Sequence, residues 1–90
     1  MRTINVRLID VKYGDNKNHL KFRGAVPYYS NQHDFEFDYV GIEITSNGNI
    51  EEDVLNGLAE QMAQDFGHNP FDIKNAKKIL GEGRTYAIRV

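Results

Sequence analysis

The feature that most limits what this chain can fold into is one stretch, Ile50 to Phe66, in which apolar residues recur at helical spacing. Ile50, Val54, Leu55, Leu58, Ala59, Met62, Ala63 and Phe66 gather on one side of a helix. Together they span an arc wider than the ~100° stripe of a minimally buried surface helix. A helix of this kind needs cover from more than one surface. Its start is marked by Asn49 as a cap, by Glu52 as the reciprocal member of a capping box, and by Glu51, Glu52 and Asp53 as acids in the first turn. Gly67 stands where a left-handed cap belongs.

The segments before this helix have the two-residue period of strands. Ile4, Val6 and Leu8 alternate with Thr3, Asn5 and Arg7, after which the apolar phase moves to Ile9, Val11 and Tyr13, which predicts a bulge near Leu8 and Ile9. Gly14-Asp15-Asn16-Lys17-Asn18 is a turn composition. It leads into the clearest alternation of the chain, Leu20, Phe22, Gly24, Val26 and Tyr28 against His19, Lys21, Arg23 and Ala25, with Pro27 marking an edge or exit. Phe35, Phe37 and Tyr39 then alternate with Asp34, Glu36 and Asp38 before a second phase shift to Val40, Ile42 and Ile44, read as another bulge or as a strand covered on both faces.

After the helix, two readings stay open for Ile73 to Leu80. Ile73, Ala76, Ile79 and Leu80 fit a short helix capped by Asp72; alternatively Lys77 to Leu80 pairs with the last segment across Gly81-Glu82-Gly83. Tyr86, Ile88 and Val90 form a strand on either account. Phe71, Ile79 and Leu80 are the expected source of the second cover for the long helix, with a homodimer partner as the alternative. The expected architecture is therefore α+β, in the order β-β-β-α-(short α or β)-β, with a small antiparallel-rich sheet and the main helix packed on one face. At 90 residues without a linker or repeat, residues 1–90 are expected to form a single domain.

Absence of cysteine removes disulfide frameworks, thiolate zinc sites, iron–sulfur clusters and cysteine nucleophiles. The amino terminus alternates in polarity where a signal peptide would need a continuous apolar core, and no run approaches a membrane span. Those features make a cytoplasmic location the expectation, with no membrane partner and no cofactor.

Charge is the most informative functional feature. Residues 1–30 carry six Lys/Arg and two Asp/Glu, residues 31–66 carry nine acids and no base, and residues 67–90 carry five bases and two acids. One reading is internal: Lys21 and Arg23 share a sheet face with Asp34, Glu36 and Asp38, and cross-strand pairs add roughly 0.2–1 kcal/mol each. The other is an exposed acidic face for a basic partner, because alternate strand positions set carboxylates about 6.5–7 Å apart, a row resembling a nucleic-acid backbone.

Catalytic signals fail on spacing. Carboxylates 6.5–7 Å apart do not converge easily on an ion bound at ~2.0–2.6 Å, so a metal-dependent enzyme built on Asp34, Glu36, Asp38 and His33 is the weakest reading. Ser30 and Ser46 lie in turn sequences, and His19, His33 and His68 are dispersed. The expectation is a non-catalytic protein-binding module, a small cytoplasmic regulator or inhibitor of the sort phages and mobile elements encode. Asp34, Glu36 and Asp38, with Tyr29 and Glu60, are its candidate partner-binding residues, and the expected partner is a basic protein, a nucleic-acid-binding protein being the candidate. The main alternative is a nucleic-acid-binding sheet face using Lys21, Arg23 and Tyr29.

Overall fold

In the computed structural model of the chain the residues described are 2–15, 19–28, 31–40, 43–46, 50–66 and 72–90. Among them the elements run β1 (Thr3–Tyr13), β2 (Leu20–Tyr28), β3 (Asn31–Val40), β4 (Glu43–Ser46), α1 (Glu52–Phe66), α2 (Ile73–Gly81) and β5 (Thr85–Arg89). The strands form one sheet of order β4-β3-β2-β1-β5, antiparallel at every pairing. The first four strands are a meander, and β5 returns after the helices to the free side of β1. The fold is the α+β class that the pattern predicts.

Alternation decides which side chains go inward. Registered neighbours Leu20 and Tyr39, Phe22 and Phe37, and Val6 and Tyr86 share one face of the sheet, and all six are buried. Phe66 at the end of α1 reaches into this layer, edge-on to Phe22 at 5.5 Å between ring centres and 5.7 Å from Tyr39. Phe22 in turn stacks on Phe37 at 5.5 Å. Side chains from β1, β2, β3, β5 and both helices join in one core cluster.

The predicted bulge is present: pairing of β1 with β2 shifts register between Leu8 and Asp10. One extra residue there returns Val11 to the buried face beside Phe22. The second phase shift has a different origin. β3 ends at Val40 and β4 folds back on it, with Val40 opposite Glu43 and Tyr39 opposite Ile44. A chain reversal, not a bulge or a doubly covered strand, therefore brings Ile44 to the core side, where it packs against the cluster; Ile42 lies outside the described residues.

The segment after α1 is a helix. Asp72 caps α2, its Oδ1 accepting from the amides of Lys74 (3.1 Å) and Asn75 (3.2 Å). Ala76 and Ile79 are buried while Lys74, Lys77 and Lys78 are exposed. The strand alternative fails because β5 takes β1, not residues 77–80, as its partner. The turn between them closes with Gly83 at φ 75°, a left-handed conformation that side chains resist.

Cover for α1 comes from an unexpected quarter. Its principal neighbours are β4 and β5, the two outer strands of the sheet, while α2 packs on β1. The sheet curls around α1, so both flanks of the wide apolar arc meet strands of the same sheet. Ile79 and Leu80 join the core from α2, and Phe71 lies outside the described residues. Contact with β5 is close at Gly57: a Cβ there would sit 2.5 Å from Ile88 Cγ2. Glu51 supplies the first carbonyl of the helix, accepting from Val54 and Leu55, and its carboxylate receives the Arg2 guanidinium at 2.6 and 2.7 Å. Asn49 lies outside the described residues.

Candidate functional site

The opposite parity of the same strands makes a second face. Arg7, Asp10, Lys12, Arg23, Asp34, Glu36 and Thr45 are exposed on it, Lys21 and Asp38 are half-buried, and Ala25 alone is enclosed. Register arranges these side chains in rows across the strands. Asp10, Arg23 and Glu36 form one row, Lys12, Lys21, Asp38 and Thr45 the next, and Arg7, Ala25 and Asp34 a third. Acids thus line β3, and bases line β2 and much of β1.

Of the candidate partner-binding residues, the structure brings Asp34, Glu36 and Asp38 together along β3, as strand alternation requires. Glu60 is elsewhere. It is exposed on α1, whose buried side chains Val54, Leu58 and Met62 face the packed side of the sheet. Sheet and helix therefore separate Glu60 from the β3 acids, and the acidic block of residues 34–65 occupies two surfaces rather than one. The reason is that the block continues from a strand into a helix packed on that strand's other face. Glu60 instead borders a depression of about 540 Å³ along α1 with Asn56, Ala59 and Ala63. Tyr29 lies outside the described residues, as does the side chain of His33.

The three β3 acids are not equivalent. Asp38 stands opposite Lys21, and its Oδ1 is buried, without a hydrogen bond and 3.7 Å from His19 Nε2, a contact that is ionic only when the imidazole is protonated. Glu36 stands opposite Arg23 and is exposed; its carbonyl accepts from the Ser46 hydroxyl at 3.0 Å. Short ion pairs among the described residues form elsewhere, between Arg2 and Glu51 and between Arg84 and both Asp65 and Glu82. Lys21 and Asp38, and likewise Arg23 and Glu36, therefore balance one another's field across the strands without closing into contact pairs.

One polar cluster was not legible in the sequence. Asp65, near the end of α1, receives Arg84 Nη1 on both carboxylate oxygens at 3.0 Å and the Tyr86 hydroxyl on Oδ2 at 2.5 Å. Burial, then the bond to Asp65, pushes the Tyr86 hydroxyl well above its ordinary pKa. The Asp65 carboxylate, with Glu82 adding a hydrogen bond, raises Arg84. Residues 19 and 21 positions apart meet here because β5 returns along α1. A charge-assisted clamp between helix and strand is the result. Tyr39 differs: its hydroxyl is buried without a partner, and burial raises its pKa.

Among the described residues no group of three or more His, Cys, Asp or Glu side chains is placed to hold a metal ion. No helix among them is long and apolar enough to cross a membrane. The chain matches no protein-family model, and no curated protein or solved structure is significantly similar to it.

Proposed function

We propose that the chain is a non-catalytic binding module that docks a basic protein through the acid row of β3, as a small cytoplasmic regulator or inhibitor would. The observation that supports this reading is the placement of Asp34, Glu36 and Asp38 on the sheet face opposite the core. Carboxylates on alternate positions of one strand are about 6.5–7 Å apart, a spacing suited to a groove built for a chain of phosphates. Glu36 is the centre of the row, and Glu60 has no part in the same contact surface.

The test is capture of partners from a nuclease-treated host lysate by the wild-type chain and by the double variant Glu36→Lys/Asp38→Lys. Like charges across an interface cost several kcal/mol. The expected outcome is that a stoichiometric basic protein bound by the wild type is held at least about tenfold more weakly by the variant, with the amide spectrum of the fold retained. Undiminished recovery of that protein by the folded variant would refute the acid-row reading.

A further inference from the structure

A second feature of the open face lies among the bases beside the acid row. Lys12 and Lys21 stand directly opposite each other in the β1–β2 register, and Arg23 follows on the same side of β2. Like charges directly opposite in an antiparallel pair are destabilising. Among the described residues, none of the three has an ion-pair partner within 4.0 Å. Asp10, which register sets opposite Arg23, turns its carboxylate to the backbone, where Oδ1 accepts from the Val11 amide at 2.9 Å.

The bulge just before Asp10 and the diversion of its side chain leave a depression of about 100 Å³ lined by Asp10, Lys12, Lys21, Phe22, Arg23 and Glu36. Its volume is that of about three waters at roughly 30 Å³ each, enough for one tetrahedral oxyanion. We propose that this depression binds a phosphate group, held by Lys12, Lys21 and Arg23. An anion between the two lysines replaces their mutual repulsion with two attractions, and the Arg23 guanidinium offers the planar fork that suits phosphate oxygens. Glu36 closes the β3 side of the depression, and its carboxylate opposes the anion, as that of Asp10 on the β1 side does.

That opposition separates the two readings. Glu36→Gln removes a carboxylate that a basic protein would use and a repulsion that phosphate would meet, so the two affinities move in opposite directions and either can fail alone. The probe is inorganic phosphate, titrated against sodium chloride of matched ionic strength while backbone amide shifts are followed. Saturable shifts confined to residues 10–12, 21–23 and 36 are expected with phosphate only. Lys21→Gln and Lys12→Gln, both on the open face, should each weaken phosphate by about three- to fivefold, and Glu36→Gln should tighten it by a similar factor.

Identical, non-saturating shifts in phosphate and chloride would overturn the site, as would a phosphate affinity unchanged in Lys21→Gln. A parallel titration with oligothymidylate identifies the source of the phosphate. The same amides shifting at lower concentration would support the site and assign it to a phosphodiester backbone. Response to inorganic phosphate alone would support it as a site for a free phosphoryl group.

Discussion

The two faces of the sheet are drawn from the same strands, yet they are solved differently. On the packed face Phe22, Phe37, Tyr39 and Phe66 interlock at ring separations of 5.5–6.3 Å, and each of these rings is held by its neighbours. On the open face, Lys21 and Arg23 are set opposite Asp38 and Glu36 by register without ion-pair contact, and Lys12 stands against Lys21 as an unfavourable pair. A face selected only for stability would not need that pair. Strand alternation assigns side chains to faces, while the use made of each face depends on what lies above it.

The packed side is the more sensitive of the two to a single substitution. Phe66→Ala removes the ring that packs on both Phe22 and Tyr39 and should destabilise by about 3–5 kcal/mol, measured by urea unfolding. If the loss were below about 1 kcal/mol, Phe66 would not belong to the shared core.

The helix–strand clamp gives an intermediate effect. Tyr86→Phe deletes the hydrogen bond to the Asp65 carboxylate and should cost about 1.5–3 kcal/mol. Its pH dependence has a definite sign. The folded-state pKa of Tyr86 is raised above the ordinary value of 10.0, by burial first and by Asp65 second. Above pH 10 the unfolded chain loses this proton while the folded chain keeps it, so stability is full below that pH and falls as pH rises toward the folded value. Unfolding free energies measured between pH 8 and about 11 should fall less steeply in Tyr86→Phe than in the wild type. Parallel alkaline limbs would break the assignment.

The smallest effect sharpens the open side. Lys12→Glu turns the opposed pair into an attractive one and should stabilise by roughly 0.2–1 kcal/mol, read as a rise in the unfolding midpoint. The same substitution should abolish phosphate-induced amide shifts. Stability gained together with ligand binding lost would mark the Lys12–Lys21 pair as retained at a cost in stability.

Local chemistry explains how much of this was legible beforehand. The β2 alternation, the bulge near Leu8, the Asp72 cap and the pairing of β2 with β3 each rest on residues close in sequence. The split of β3 from β4 was missed because Val40, Ile42 and Ile44 keep a two-residue period through a region where the chain reverses. The curl that covers α1 with β4 and β5 joins elements from opposite ends of the sheet, and no local pattern encodes it. For the same reason the separation of Glu60 from Glu36 was hidden inside one run of acids. Asp65, Arg84 and Tyr86 carried no motif; only the return of β5 along α1 brings them together. Gly57 reads as an ordinary helix position until Ile88 is seen beside it.

The pairing of β1 with β5 also determines how the molecule would answer force. Arg2 and Val90 exchange both backbone hydrogen bonds, at 2.8 and 2.9 Å, and the two strands run antiparallel from there. Tension applied between these two residues loads the bonds of that pair one after another, as a zipper is opened, rather than all together in shear. The outermost strand would peel away first, taking with it the wall that closes one flank of α1. Pulled in this direction, the fold is mechanically soft, whatever its stability in denaturant.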